Sequence, residues 1–232
     1  YRSDKKSNFY LLILVATLII LIRPINLIFL CFLPFLSNSN NWFLKLKGVV
    51  NLKFAMVCLG IIAITISPQL IYWKYESGSF IHYAYGSEGF DNYLSPKILE
   101  TLFSPNNGLF PNTPFVLILV ICMLMAFFNE KSKMWLAQLL LFFTITYVFS
   151  SWWNWHFGCS FGHRAYIEYF SVFIIPFVHF IDNKSFLKSP LFYFGLLAIL
   201  FNLKMSYTVD NCWYHGDWDY ETFIKLIFSA PN

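Results

Sequence analysis

His163, Arg164 and Glu168 are the residues of this chain best spaced for chemistry. They close the run Trp152-Trp153-Asn154-Trp155-His156-Phe157-Gly158-Cys159-Ser160-Phe161-Gly162-His163-Arg164-Ala165-Tyr166-Ile167-Glu168, which lies between two apolar stretches. Arginine presents a planar fork of donors that matches phosphate oxygens. Gly158 and Gly162 let the backbone come close to a ligand. A helix starting near Ala165 would add free N–H groups and the positive end of its dipole. Together these features describe an anion site. Glu168 follows Arg164 by one α-helical turn, which leaves two readings open. Either Arg164 and His163 hold a phosphate with Glu168 orienting the arginine, or Arg164–Glu168 is a structural ion pair and His163 snorkels to an interface.

The elements that must position this run are membrane helices. The chain is 58% hydrophobic and 12% charged, against about a quarter charged in soluble domains. Apolar segments at about 8–22, 25–37, 49–72, 113–128, 135–150, 166–181 and 190–206 approach the roughly 20 residues that span a bilayer. The expected fold is an all-α integral membrane protein: a polytopic helical bundle of about six to seven transmembrane helices with interfacial extracytoplasmic loops, 1–232 being one transmembrane domain. Arg23-Pro24 separates the first two segments, as two short spans or one broken helix. Short basic connections at 1–7, 38–48, 129–134 and 182–189 alternate with aromatic, Gly- and Pro-rich ones at 73–112, 151–165 and 207–232. The positive-inside rule makes the basic set cytoplasmic. The net charge of +4 then reflects topology, and no basic run is dense enough for nucleic acid.

The 73–112 connection is long enough to be functional. Its Ser104-Pro105-Asn106-Asn107-Gly108 run is strong turn chemistry, and His82, Glu88 and Asp91 are its candidate ligand contacts, beside Glu76 and Glu100. Trp152, Trp153 and Trp155 suit a membrane interface, as does 213–220, where Asp217 and Asp219 carry no assigned role. Arg23 marks the edge of a span or meets a headgroup, and His179 reads as packing. Cys159 and Cys212 fall on the same predicted side, where a disulfide could persist. No spacing indicates a metal site, so the sequence assigns no metal ligand and indicates no divalent cation.

Four motifs in order, Leu21-Ile22-Arg23-Pro24-Ile25-Asn26, Pro68-Gln69-Leu70-Ile71-Tyr72-Trp73, Leu102 to Pro114 with its Ser-Pro-Asn-Asn-Gly core, and Phe161-Gly162-His163-Arg164-Ala165-Tyr166-Ile167-Glu168, give the chain its resemblance. It resembles the C-terminal membrane half of bacterial GT-C type glycosyltransferases, which are related to protein O-mannosyltransferases and to the aminoarabinose transferases of lipid A. The resemblance implies a transferase in the bacterial inner membrane whose active site faces the periplasm. Its donor would be a polyprenyl-phosphate-linked sugar and its acceptor a glycan, lipid or protein, with membrane lipids around it. In that family the catalytic carboxylate lies in the first extracytoplasmic loop, which is expected upstream of Tyr1. Donor-side roles fall here to the long loop and to His163 and Arg164, whose positive charge would meet the leaving phosphate. Two alternatives are an O-antigen ligase or polymerase, which would carry a larger late loop with paired arginines, and a non-catalytic subunit or lipid-linked substrate transporter, which would show internal repeats.

Overall fold

The computed structural model describes residues 6–36, 47–83, 85–158, 161–181, 185–208 and 219–229. Among them every regular element is a helix. The chain divides into two compact units, 1–87 and 88–232.

In the first unit, α1 (Lys6–Ile22) packs against α3 (Leu52–Ser77). Between them Arg23 is extended and Pro24 opens a single 3₁₀ turn, so the proline breaks the helix as its missing N–H requires. The α2 helix that follows (Leu27–Phe32) has six residues, far short of a span. Asn51 caps α3, its side chain accepting from the Phe54 amide at 2.8 Å, and Gly78 ends it in the left-handed conformation. Apolarity alone set the expected end of this helix at 72. The polar turn to Ser77 stays helical until that glycine, so the 73–112 connection begins inside α3. On α3, Leu52 is 80% exposed and Ile64 75%. An outward surface this apolar needs a lipid surrounding.

The second unit is built around α6 (Pro114–Glu130), which touches α7 (Lys133–Ser150), α9 (Ile175–Ile181) and α10 (Pro190–Thr208). Pro114 opens α6 at its first position, and at its other end a left-handed Lys131 followed by the Ser132 cap of α7 makes a tight corner between α6 and α7. Glu130 fastens that corner. One carboxylate oxygen accepts from the Trp135 indole at 2.7 Å and the other lies 2.6 Å from His179 Nε2 on α9. His179, read as packing, is therefore a hydrogen-bond partner as well. Two short helices lie within the stretch expected to be loop, α4 (Ile98–Phe103) and α5 (Leu109–Asn112). The 166–181 run is three pieces: a 3₁₀ helix over Arg164–Tyr169, then α8 (Phe170–Phe173), then α9. A last helix, α11 (Tyr220–Phe228), is capped by Asp219, whose carboxylate accepts from the Thr222 amide at 2.8 Å and is held below the usual carboxylate range by that bond.

Among the described residues four stretches are long and apolar enough to cross a membrane: Leu52–Ser77, Lys133–Ser150, Arg164–Ile181 and Pro190–Tyr207. This is a membrane protein by that measure, with fewer such helices than the six to seven expected. The shortfall is one of length, since α1 and α6 hold 17 residues each, about 25 Å against a core of about 30 Å. The 38–46 part of the basic connections, Cys159, Cys212 and Asp217 lie outside the described residues.

Candidate functional site

Residues 152–158 of the Trp-rich run form no helix, and the run turns 3₁₀-helical at Arg164. It is a strap pinned by residues from several parts of the chain. Asn92 Nδ2 donates to the Trp152 carbonyl at 3.0 Å, and the Trp153 amide to Gly89 at 2.9 Å. Asn107 Nδ2 donates to the carbonyls of His156 at 3.2 Å and Gly158 at 2.8 Å. His163 Nε2 closes the strap on the Trp155 carbonyl at 3.0 Å. Phe157, Gly158 and Gly162 take positive φ values of 57°, 73° and 75°, so the backbone turns sharply at each of these positions. Gly162 is further constrained because a Cβ there would stand 3.0 Å from Thr113 Oγ1.

The strap rests on the 104–112 segment, which is a rigid scaffold. The Ser104 hydroxyl accepts from the Asn106 amide, and the Gly108 amide donates to the Ser104 carbonyl at 3.0 Å. The buried Asn112 side chain donates to the carbonyls of Pro105 at 3.2 Å and Gly108 at 3.0 Å. A Cβ on Gly108 would fall 2.2 Å from the Ser104 oxygen. This approach, and no special backbone angle, is why position 108 requires glycine.

Beyond the strap, Tyr166 carries the chain into the bundle. Its ring is fully buried against Phe142 and Phe149, and its hydroxyl donates to Thr146 Oγ1 at 2.9 Å. His163 packs between Phe149, Phe157 and Tyr166 and is 3% exposed. Burial in this aromatic nest pushes its imidazole down to about 4. The neutral ring donates through Nε2 to Trp155, so Nδ1 is an unprotonated acceptor, buried and without a hydrogen-bond partner among the described residues. His163 therefore holds the strap in place and brings no second positive charge to it.

Arg164 is exposed. It lies on the wall of a cavity of about 420 Å³ shared by the strap, α5, α6 and α10, with Thr113, Phe115, Ile167, Asn202 and Leu203 among the other lining residues. Among the described residues it forms no ion pair and no hydrogen bond, Glu168 included. The reason is local pitch. Arg164–Tyr169 is a 3₁₀ helix with three residues per turn, so residues three apart eclipse and residues four apart diverge by about 120°. Arg164 and Ile167 consequently share the cavity wall, while exposed Glu168 points elsewhere. The same pitch corrects the expected helix dipole. Six 3₁₀ residues followed by a four-residue α8 supply no long helix terminus at Ala165.

Glu88 and Asp91 are exposed on the segment that lies along 150–153, and neither lines the cavity. His82 is exposed in the first unit. Among the described residues no group of three His, Cys, Asp or Glu side chains is placed to hold a metal ion. Sequence reasoning missed Thr113 and Asn202. Asn202 left a trace there, as the one amide side chain in an otherwise apolar 190–203 stretch. Comparison with protein families, with curated proteins and with solved structures finds no match to this chain.

Proposed function

We propose that the chain is the membrane part of a GT-C type glycosyltransferase that uses a polyprenyl-phosphate-linked sugar on the extracytoplasmic face of a bacterial inner membrane. The reading includes six to seven spans, with α1 and α6 crossing a locally thin bilayer. The observation that carries it is Arg164: a guanidinium without a partner among the described residues, on the wall of a cavity whose other lining is largely apolar. A lipid phosphate at the membrane surface would satisfy both the charge of this arginine and its fork of donors. In the transfer, the acceptor oxygen bonds to the anomeric carbon as that carbon's bond to the phosphate oxygen breaks. The electron pair leaves on the phosphate, raising its charge from one to two, and Arg164 is placed to take up the added charge. The acceptor's proton passes to a carboxylate base, which the family carries in its first extracytoplasmic loop. His163 serves by holding the strap that carries Arg164.

Arg164→Lys tests this directly. Lysine keeps the charge and loses the bidentate fork, so binding of a short-chain polyprenyl phosphate to the detergent-solubilised chain is expected to weaken about tenfold. The melting temperature should stay put, since the Arg164 side chain bonds to no other described residue. Unchanged binding would reduce Arg164 to an interfacial cation. For orientation, single cysteines introduced in 78–97 and 151–158 should react with an impermeant reagent from outside, and those in 129–134 from inside. Labelling of 129–134 from outside would overturn the proposed topology.

A further inference from the structure

The cavity holds a second kind of polar group that the phosphate reading does not use. Asn202 Nδ2 donates to the Asn112 carbonyl at 2.7 Å. A carbonyl only accepts, so the orientation of the Asn202 amide is chemically fixed. Its Oδ1 is left without a hydrogen bond among the described residues and is not sealed in the core. Thr113 stands on the same cavity, and its hydroxyl, which caps nothing, faces the tight approach of Gly162. A cation, a free acceptor and a free hydroxyl thus line one cavity whose remaining wall includes Leu109, Ile199 and Leu203. The lone pairs of Oδ1 disfavour a phosphate oxygen and favour an O–H or N–H donor.

We infer that the cavity takes a phosphodiester carrying an apolar chain on one side and a hydroxyl-bearing group on the other, and that Asn202 with Thr113 reads that hydroxyl. The inference rests on Arg164 holding the phosphate. It goes further by making Asn202 a specificity-determining residue. A site built to pair with a substrate hydroxyl rejects the analogue without one, because its own polar group is then left unpaired.

Binding of two synthetic phosphodiesters to the full chain in detergent decides the matter. Dodecyl glucosyl phosphate and dodecyl cyclohexyl phosphate share charge, chain and ring size and differ in their hydroxyls. Wild type is expected to prefer the glucosyl probe about tenfold. Asn202→Leu should abolish that preference while leaving cyclohexyl binding within about twofold, and Thr113→Val should reduce it about threefold. Arg164→Gln should weaken both probes alike. Equal loss of both probes in Asn202→Leu would make Asn202 a tether of α5 only and overturn the inference. Should Asn202→Leu lose its melting transition, Thr113→Val decides, and an unchanged preference there overturns the inference as well. Equal wild-type binding of both probes, with Arg164→Gln weakening each, sinks the hydroxyl readout and leaves the phosphate site standing. Failure of wild type to bind either probe sinks both readings. Glucose 1-phosphate is expected to bind at least about 100-fold more weakly; equal binding would assign the cavity to a soluble phosphate and remove the apolar chain from the proposal.

Discussion

Gly108→Ala will lower the stability of the second unit by about 3 kcal/mol or more. The added methyl would sit 2.2 Å from the Ser104 carbonyl oxygen, 2.5 Å from its amide nitrogen and 3.0 Å from the Phe103 carbonyl carbon. All three are backbone atoms, so no side chain can rotate away. Relief requires the turn to open, which breaks the bonds from the Gly108 amide to Ser104 and from Asn112 to Gly108. Overpacking costs about 1–3 kcal/mol, and each broken buried hydrogen bond adds about 1 kcal/mol. Leu109 and Thr113 line the cavity just beyond, so ligand binding should fall with stability. Thermal unfolding in detergent, with Gly60→Ala as control, provides the measurement. Gly60 has open space where its Cβ would stand and lies in α3, so alanine there should cost nothing. A Gly108→Ala protein melting within about 2 °C of wild type would show the 104–112 scaffold to be soft.

The second large effect is a loss of stability in mild acid that depends on His163. Its folded-state value is about 4, against about 6.5 for an exposed imidazole. Below 6.5 the unfolded chain gains a proton here that the folded chain refuses until about 4. Acid therefore favours unfolding, with the contribution of His163 intact above pH 6.5 and lost as pH falls through 4. The interval corresponds to about 3 kcal/mol. Melting temperature measured from pH 7.5 to 4 should decline more steeply for wild type than for His163→Asn, which cannot titrate but starts from a lower stability. Parallel curves would mean that His163 is charged or solvated in the folded protein.

The long apolar helices were legible in the sequence because greasy length alone specifies them. Expected segments at 113–128, 135–150 and 190–206 correspond to helices at 114–130, 133–150 and 190–208. Pitch was not legible. Hydrophobicity does not distinguish 3₁₀ from α over 164–169; in the fold Tyr166 and Tyr169, three residues apart, both pack against Phe149, as the eclipsed positions of a 3₁₀ turn allow. The four- and six-residue helices α5 and α4 are too short to show a period. At the site, the adjacency of His163 and Arg164 could be read locally, while their separate duties could not. Those follow from an aromatic nest around one residue and a cavity beside the other. Thr113 and Asn202 reach the same cavity from positions far apart in sequence, which only folding brings together.

The 3₁₀ pitch of 164–169 also settles which charge the arginine competes for. In an α-helix Glu168 would fold over Arg164 and neutralise it, and any incoming anion would first have to displace that resident counter-ion. With three residues per turn the rival is carried about 120° away. Under the proposed function the cation is then kept in reserve for its ligand, so a substitution that relaxes this turn to an α-helix would poison the site with the protein's own carboxylate.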